Sequence, residues 1–283
     1  MSLNSVNTNM NAAIALQSLN STSSQLAQTQ KTISTGFRVA DATDDGAAYA
    51  VAQRVRSDVG ALTSANQQLG YVKGLVSTTI TGLNSVSNTL NEAREILVKL
   101  ADSNTQGDQR DQYVAQYQSK MANVQTFLQD AGYNNKTLIG DITGSNGSFG
   151  SVAVIRNEVG ATYGIATFGG SAFFASVNFT STQLNAATSV VALITASGTF
   201  LNALSNLGTQ LNTYGAASNY VDNQISYNND KIDSLQGGLG SLIDADLAKE
   251  SAKLQALQIR QQLGTQALSI ANQAPQSLLS LFR

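Results

Sequence analysis

Residues 69–100, LGYVKGLVSTTITGLNSVSNTLNEAREILVKL, carry apolar side chains at alternating steps of three and four residues, with one threonine among them. This spacing is the heptad pattern of a helix that packs against other helices along one stripe. We therefore predict one long helix here. Its stripe consists of Leu69, Val72, Val76, Thr79, Leu83, Val86, Leu90, Ala93, Leu97 and Leu100.

Two further heptad stripes follow a polar break at 102–111. One occupies residues 114–128 and the other residues 190–235. A straight helix over 190–235 would be about 69 Å long at 1.5 Å per residue. A rod of that length cannot bury its stripe in a small globule and needs other long helices beside it. The sequence thus predicts a mainly α fold, a long antiparallel coiled-coil-like helical bundle.

The middle of the chain has a different pattern. Between residues 132 and 180 the heptads stop and glycine becomes frequent. Residues 151–155 and 162–168 predict two strands joined by a turn, and residues 172–179 are expected to add a further strand. A small β-hairpin element therefore separates two helical arms, which we expect to fold back antiparallel.

Both ends of the chain carry thinner apolar stripes. A single helix of this kind is marginal in water, so we expect each end to fold against a partner and to act as an assembly surface. The predicted assembly residues are Leu19, Leu26, Ile33, Leu247, Leu254, Leu257 and Leu268.

The composition excludes several classes of function. There is no cysteine and no histidine, which removes thiolate chemistry, the commonest general base and the commonest transition-metal ligand. The 16 basic and 18 acidic residues nearly balance, which argues against nucleic acid or an acidic membrane as a partner. We find no apolar run long enough to predict membrane insertion, and no Sec-type signal pattern at the N-terminus. A non-enzymatic, self-assembling protein is the expectation.

Two acidic clusters contain residue types that can form a site. Asp41, Asp44 and Asp45 resemble the opening of a calcium loop, but Ala52 stands where that loop needs a bidentate glutamate. A polar bend before a helix is the favoured interpretation. Asp244 and Asp246 are two residues apart, which places them on different faces of a helix. We predict no catalytic, cofactor or metal site.

A run of glycines precedes this second cluster. Gly237, Gly238 and Gly240 predict a hinge or loop that ends the long helix, because each glycine costs about 1 kcal/mol in a helix interior. The next helix is then expected to start near Ser241.

Several short motifs together resemble bacterial flagellin. At the N-terminal end these are LNSVNTN at 3–9, ISTG at 33–36 and DATDDGAA at 41–48. At the C-terminal end they are IDADLAKE at 243–250, LQI at 257–259 and QAPQSLLSL at 273–281. GYNNKTLI at 132–139 is similar to the segment that leads into the family's β-hairpin. The variable outer domains of many flagellins are missing.

The resemblance implies an architecture and a function. Residues 1–43 and 243–283 would pair as an inner core domain, and residues 44–242 would form a helical rod domain with a β element at about 132–180. The protein would be a structural subunit, exported unfolded through the flagellar secretion system, that polymerises into the extracellular filament for swimming. Its partners would be other copies of itself, hook–filament junction proteins, the filament cap, an export chaperone and the secretion apparatus.

The resemblance also points to a segment that an innate immune receptor recognises in many flagellins. Arg94 and Glu95 match that pattern, whereas Glu92 replaces a basic residue and Leu97 a small one. We therefore expect weak or no recognition.

Other functions remain open at this point. A hook–filament junction protein, or another flagellar axial protein, would share the terminal helices. A cytoplasmic signalling coiled coil would share the long antiparallel helices, but not the β element or the terminal motifs. A zinc protease of the kind inserted in some flagellins would need histidines that this chain lacks.

Overall fold

The computed structural model describes residues 9–281, with side chains as far as residue 273. The first six residues of the motif at 3–9 and the side chains of 274–281 lie outside the described residues. The helices are α1 (Met10–Thr35), α2 (Gly46–Ala101), α3 (Gly107–Asp130), α4 (Gly170–Val177), α5 (Ser181–Leu184), α6 (Ala187–Ile194), α7 (Thr199–Ile243) and α8 (Leu247–Leu281).

The first two heptad stripes lie on long helices, α2 and α3, as predicted. The third starts on the short α6 and continues along α7, and the break at 195–198 shows that the single helix expected over 190–235 is wrong at its start. Lys73 pairs with Asp222 at 2.6 Å, and Asn228 of α7 donates to Asn66 of α2 at 2.8 Å. Because the partner number on α7 falls as the number on α2 rises, these two helices are antiparallel. The mainly α fold with its small β element is confirmed.

Seven short strands form the β element. They are β1 (Gly132–Tyr133), β2 (Lys136–Thr137), β3 (Ile139–Gly140), β4 (Ser148–Phe149), β5 (Val152–Ile155), β6 (Thr162–Ile165) and β7 (Phe168–Gly169). β1, β2 and β4 form one sheet in that order, and β3 pairs with β7 in parallel. β5 and β6 form an antiparallel hairpin with Val152 opposite Ile165 and Ile155 opposite Thr162. This hairpin confirms the strand–turn–strand prediction.

The strand expected at 172–179 is wrong, because this segment contains helix α4. Phe173 and Val177 are four residues apart and both are buried. A helix brings residues at that spacing onto one face, so both side chains reach the core together.

The hinge expected at the glycine run is also wrong. α7 continues through Gly237, Gly238 and Gly240 and ends at Ile243. Ile243 is almost completely buried and packs in a small cluster with Val39, Ala48 and Ala52. Burial of a side chain of this size contributes about 1.5–3 kcal/mol and offsets much of the helix penalty of the glycines.

The start of the last helix differs from the prediction as well. Asp246 caps α8, since its Oδ1 accepts hydrogen bonds from the backbone N–H groups of Ala248 and Lys249 at 3.0 and 3.1 Å. The hydroxyl of Ser241, the expected start, instead donates to the carbonyl of Gly238 within α7. Asp244 lies in the short segment between α7 and α8, and it forms a β-bridge with Phe37.

The chain divides into two compact units. Unit 1 contains the residues up to Ser57 and those from Asp233 onward, and unit 2 runs from Asp58 to Ile232. Unit 2 has one continuous core, formed by the stripes of α2, α3 and α7 together with the β element and α4. Burial raises the pKa of Tyr117, whose hydroxyl donates to the carbonyl of Val177 and so joins α3 to α4.

One stretch of unit 2 has the length and apolar composition of a membrane-crossing helix. It comprises α6 and the start of α7 within Ala187–Ile243. Residues 195–198 interrupt the helix between α6 and α7.

A buried arginine holds together the end of unit 2 at which α2 finishes. Arg110 is 7 % exposed, and its guanidinium donates to the carbonyls of Leu100, Thr105 and Leu184 at 2.7, 2.8 and 2.9 Å. Leu100 is next to the last residue of the long helix α2, where the helix dipole is negative, and Leu184 ends the single-turn helix α5. The positive charge is therefore balanced by carbonyl oxygens and helix ends rather than by a carboxylate.

Replacing this arginine should lower stability markedly. Arg110→Met leaves three carbonyls without their donor, and we expect the free energy of unfolding to fall by about 3 kcal/mol. Urea denaturation followed by far-UV circular dichroism measures the change. The control is Arg94→Met, an exposed arginine on α2, which should change stability by less than about 0.5 kcal/mol. Equal effects of the two substitutions would show that the three hydrogen bonds of Arg110 do not stabilise this end of unit 2.

Candidate assembly interface

The two ends of the described chain meet as a pair of antiparallel helices in unit 1. Asn9 Nδ2 donates to the carbonyl of Ala271 at 2.7 Å, and Ala245 N donates to the carbonyl of Gly36 at 3.0 Å. Between these points Leu19 packs over Gly264, where an added Cβ would lie only 3.2 Å from the leucine Cδ1. Gly264, which has no side chain, thus lets α1 and α8 approach closely.

The ends of α1 are well defined. Asn9 is the N-cap, since its side-chain oxygen accepts from Ala12 N at 3.0 Å. Gly36 is the C-cap, with φ +74°, and its N–H donates to the carbonyl of Thr32. Asn9 therefore caps α1 and contacts α8 with the same side chain, which links helix formation to helix pairing.

All seven predicted assembly residues lie on α1 or α8. Leu257 is buried, at 3 % exposure, while Leu247 is 49 % exposed and lies in the first turn of α8. The remaining five, which are Leu19, Leu26, Ile33, Leu254 and Leu268, are half-buried. Thr29 and Thr32, between Leu26 and Ile33 on α1, are also buried.

A second set of apolar side chains on these helices points to solvent. These side chains are between 48 % and 68 % exposed and belong to Met10, Ile14, Leu16, Ile259, Leu263 and Ile270. Assigning heptads to a single stripe missed them, because a heptad reading selects only one face of each helix. The signal available in the sequence was the lack of charge, since residues 1–30 and 261–282 contain no Asp, Glu, Lys or Arg.

This combination suits a surface that other protein will cover. Burying a charged group costs several kcal/mol unless a partner compensates it, whereas neutral amide and hydroxyl groups can exchange hydrogen bonds with a neighbour. Exposed aliphatic side chains add a favourable term of about 25 cal/mol per Å² that is buried. Over residues 10–30 of α1 and 261–273 of α8 the pair therefore presents a neutral outer face with an apolar component.

The bend between α1 and α2 is held by a lysine and two aspartates. Lys31 Nζ lies 2.7 Å from Asp41 Oδ2 and 2.9 Å from Asp44 Oδ2. The hydrogen bond from Lys31 is the main reason why the pKa of Asp41 falls to about 2, with a further contribution from Thr43. Lys31, followed by Gln28, also lowers the pKa of Asp44.

These contacts make the acidic cluster at Asp41, Asp44 and Asp45 a polar bend. The ammonium of Lys31 occupies the position between the two carboxylates, and Asp44 Oδ2 also accepts from Ala40 N at 3.0 Å. Asp45 Oδ1 accepts from the N–H groups of Ala47 and Ala48, both at 3.0 Å, and so caps α2. Within the described residues no group of three or more metal-ligating side chains stands together.

The same bend is tied to the segment that precedes α8. Arg38 N donates to the carbonyl of Ile243 at 2.6 Å, and the Arg38 guanidinium donates to the carbonyl of Leu242 at 2.5 Å. Phe37 forms the bridge with Asp244, and Arg56 lies over the Phe37 ring at 5.7 Å from its centre. Two chain segments about 200 residues apart are thereby joined side by side.

The residues of the expected immune-receptor segment are on α2 in unit 2. Arg94 and Glu95 are both exposed. Glu92, which stands where the pattern has a basic residue, pairs with Lys120 of α3 at 2.5 Å.

Comparison with known proteins assigns the two helical regions. Residues 6–143 match the bacterial flagellin N-terminal helical region, and residues 194–282 match the bacterial flagellin C-terminal helical region. The chain belongs to the bacterial flagellin family. Flagellin FljM of Caulobacter vibrioides is 33 % identical, with 100 % of both chains covered, and the flagellin of Brucella melitensis is 36 % identical, with 99 % of both covered.

A solved structure shares the fold at much lower identity. The putative flagellar hook-associated protein from Vibrio parahaemolyticus is 16 % identical, with a TM-score of 0.54 over 71 % of this chain and 100 % of that chain. This likeness concerns the fold alone.

Family membership confirms the functional class. Flagellins are structural proteins rather than enzymes, and they form the extracellular flagellar filament. The family also implies self-polymerisation and contact with hook-associated proteins. The length of 283 residues fits a short flagellin without large variable domains, as predicted.

The aspartate–lysine contacts make the bend sensitive to acid. Because the pKa of Asp41 in the folded chain, about 2, lies below that of an ordinary aspartate, the pairing with Lys31 is complete above about pH 4 and is lost as pH falls through about 2. In Lys31→Met the pKa of Asp41 should rise toward the ordinary range. Titration of the carboxyl-carbon NMR signal of Asp41 measures it.

The matched control removes a different lysine. Lys253 pairs only with Glu250, at 3.4 Å, among the salt bridges of the described residues. Lys253→Met should leave the Asp41 titration where it is in the unaltered chain. An Asp41 pKa that stays low in Lys31→Met would show that the lysine does not hold the carboxylate.

Proposed function

We propose that the chain is a subunit of the body of the filament, and that the paired α1 and α8 of unit 1 form its innermost contacts with other copies. The observation that carries this proposal is the neutral, partly apolar outer face of that pair. In this arrangement residues 1–43 and 243–283 act as one inner core domain, and residues 44–242 act as a helical rod domain.

The two sets of apolar residues on α1 and α8 have different roles in this proposal. Six of the seven residues of the heptad stripes are half-buried or buried, and they hold the two helices together. The seventh, Leu247, is exposed and extends the contact to a neighbouring copy. The exposed set, exemplified by Leu263 at 58 % exposure, contacts neighbouring copies. Since neither face carries charge along residues 10–30 and 261–281, close packing of many copies buries no unpaired ion.

A role in the filament body is favoured over a hook–filament junction role. The curated relatives named above are flagellins that align over essentially the whole chain, whereas the hook-associated likeness is one of fold. Purified junction-type proteins would not be expected to grow long filaments by themselves, so negative-stain microscopy of the seeded protein separates the two roles.

Export of the chain in an unfolded state, with a chaperone on its C-terminal helix and a cap at the growing tip, belongs to the same proposal. The chain contains no cysteine, so no disulfide opposes unfolding before passage. Unit 1 also requires both ends of the chain, and therefore cannot form before the whole chain has emerged.

Polymerisation should depend on the outer apolar face of α8. Leu263→Asp places a carboxylate on that face and should abolish or strongly reduce growth from filament seeds, while the helix content of the monomer stays the same. Leu263→Met keeps an apolar side chain of similar volume and should grow nearly as the unaltered chain does. Sedimentation of seeded polymer and electron microscopy measure growth. Normal growth of Leu263→Asp would overturn the proposed role of this face.

We also propose that the Arg94–Glu95 segment is a poor ligand for the flagellin-sensing innate immune receptor. Glu92 contributes a negative charge where the recognised pattern has a basic one, and its pairing with Lys120 holds that charge on the helix surface. Reporter cells should respond weakly to the purified monomer. Glu92→Arg should increase the response, and a full response to the unaltered chain at ordinary flagellin doses would refute the proposal.

A further inference from the structure

The loop before β4 contains the single Asn–Gly pair of the sequence, Asn146–Gly147. Asparagine followed by glycine is the dipeptide most prone to lose its side-chain amide, because glycine has no side chain to hinder attack by its own backbone nitrogen. The side chain of Asn146 is exposed and therefore open to the water that the reaction consumes. The pair combines a reactive sequence with access to solvent.

The reaction needs only water and proceeds through a cyclic imide. The Gly147 nitrogen loses its proton to solvent and attacks Cγ of Asn146, so that a new C–N bond forms and the side-chain amide nitrogen leaves as ammonia after taking up a proton from solvent. Water then opens the imide at either of its two carbonyls. The product at position 146 is aspartate or isoaspartate, and isoaspartate carries an extra carbon in the main chain.

The fold requires glycine at position 147. Gly147 has φ +149°, a conformation that residues with a Cβ rarely adopt, and a Cβ added there would lie 2.9 Å from the carbonyl carbon of Lys136. The next residue, Ser148, starts β4 and donates its N–H to the carbonyl of Asn135 at 2.9 Å. The close approach of the chain to β2 at this point therefore keeps a labile sequence in the loop.

Three hydrogen bonds hold the reacting groups of the folded chain. Gly147 N–H donates to the carbonyl of Ser145 at 3.0 Å, so the attacking nitrogen is engaged. The backbone N–H of Asn146 donates to the carbonyl of Gln129 at 2.9 Å, and its side-chain Nδ2 donates to Asp130 Oδ1 at 2.6 Å. Ring closure requires rotation about the bonds of Asn146, and these contacts restrict that rotation.

The contact with Asp130 is the one that involves a charged group. A hydrogen bond to a carboxylate is about twice as strong as one between neutral groups. The carboxylate also places negative charge against the amide nitrogen, which makes the attached Cγ a poorer electrophile. Asp130 is the last residue of α3, so the end of a long helix fixes the position of this carboxylate.

Conversion of Asn146 would disturb the loop that its amide stabilises. Either product puts a second carboxylate next to Asp130, and an attraction becomes a repulsion. Isoaspartate also lengthens the main chain just before Ser148, which pairs with Lys136 in the sheet of β2 and β4. Flagellins form an extracellular filament, where cytoplasmic repair does not reach a modified subunit. A contact that slows the reaction therefore has a functional reason.

We infer that Asn146 is a modification site that the fold keeps closed, and that Asp130 is the positioning residue that slows its conversion to aspartate or isoaspartate. This inference goes beyond the proposed function and does not depend on it, because it concerns the folded monomer.

Ageing of the purified monomer tests the inference. The protein is incubated at mildly alkaline pH, and peptide mapping by mass spectrometry follows the acid products at position 146. Conversion in the folded chain should be slower than in guanidinium-unfolded chain by about tenfold or more, because the reactive arrangement requires the loop to open. Asp130→Ala should speed conversion in the folded chain about fivefold, since it frees the amide from a charge-assisted hydrogen bond.

Two further variants isolate the contribution of the Asp130 contact. Asp111→Ala removes the same charge from an exposed position nearer the start of α3, and should leave the rate within about twofold of the unaltered chain. Asp130→Asn keeps a side-chain oxygen that can accept from the Asn146 amide but lacks the charge, and should react at an intermediate rate. The thermal midpoint of each variant checks that the chain remains folded.

A second asparagine separates the loss of this contact from a general loosening of the chain. Asn135, in the neighbouring turn, is also exposed, and its conversion should be the same in Asp130→Ala as in the unaltered chain. Equal acceleration at both asparagines, or an unchanged rate at Asn146, would overturn the role of Asp130. Equal rates at Asn146 in the folded and unfolded chains would overturn the protection itself. The filament role of the chain stands under each of these outcomes.

Discussion

The pairing of α1 with α8 is the contact on which unit 1 depends. The hydrogen bond from Asn9 to Ala271 spans 262 residues of sequence, and the bridge from Phe37 to Asp244 spans about 200. Contacts between such distant segments bear the loop-closure entropy of the intervening chain, which unit 2 reduces once it has folded. We therefore expect folding to proceed from unit 2 to unit 1, an order that agrees with the proposed export of the chain in an unfolded state.

Charged side chains are unevenly distributed along α1 and α8. On α1, on α8 and in the segments that join them to the rest of the chain, charge is confined to residues 31–45 and 244–260. There Lys31 neutralises Asp41 and Asp44, and Arg38 binds the carbonyl of Leu242. Residues 10–30 and 261–281 carry no charge. The bend thus gains local definition from ionic contacts, while the helices keep faces that can be covered by other copies without desolvating an ion.

Unit 2 obtains its definition from a few polar groups set in an apolar core. Arg110 joins the ends of α2 and α5 through three carbonyls, and Asn228 joins α2, α7 and the hairpin loop. Apolar stripes alone tolerate sliding by a heptad, since every seventh residue is again apolar, whereas directional hydrogen bonds are satisfied in one register only. A filament subunit benefits from this, because an error in the position of a contact surface would repeat at every copy.

The sequence by itself determined the long helices, the hairpin and the family. Heptads at Leu69–Leu100 and along α3 and α7 are strong periodic signals that tertiary packing does not override. The tertiary structure decided three further features. These are the continuation of α7 through the glycines at 237–240, the helix at 170–177, and the exposed apolar faces of α1 and α8. Glycine propensity favours a break, but the burial of Ile243 beside Val39 kept α7 helical. The partners of Lys31, Arg110 and Asn228 were likewise decided only by the fold, because hydrogen bonds to distant backbone carbonyls and side chains leave no periodic trace in the chain.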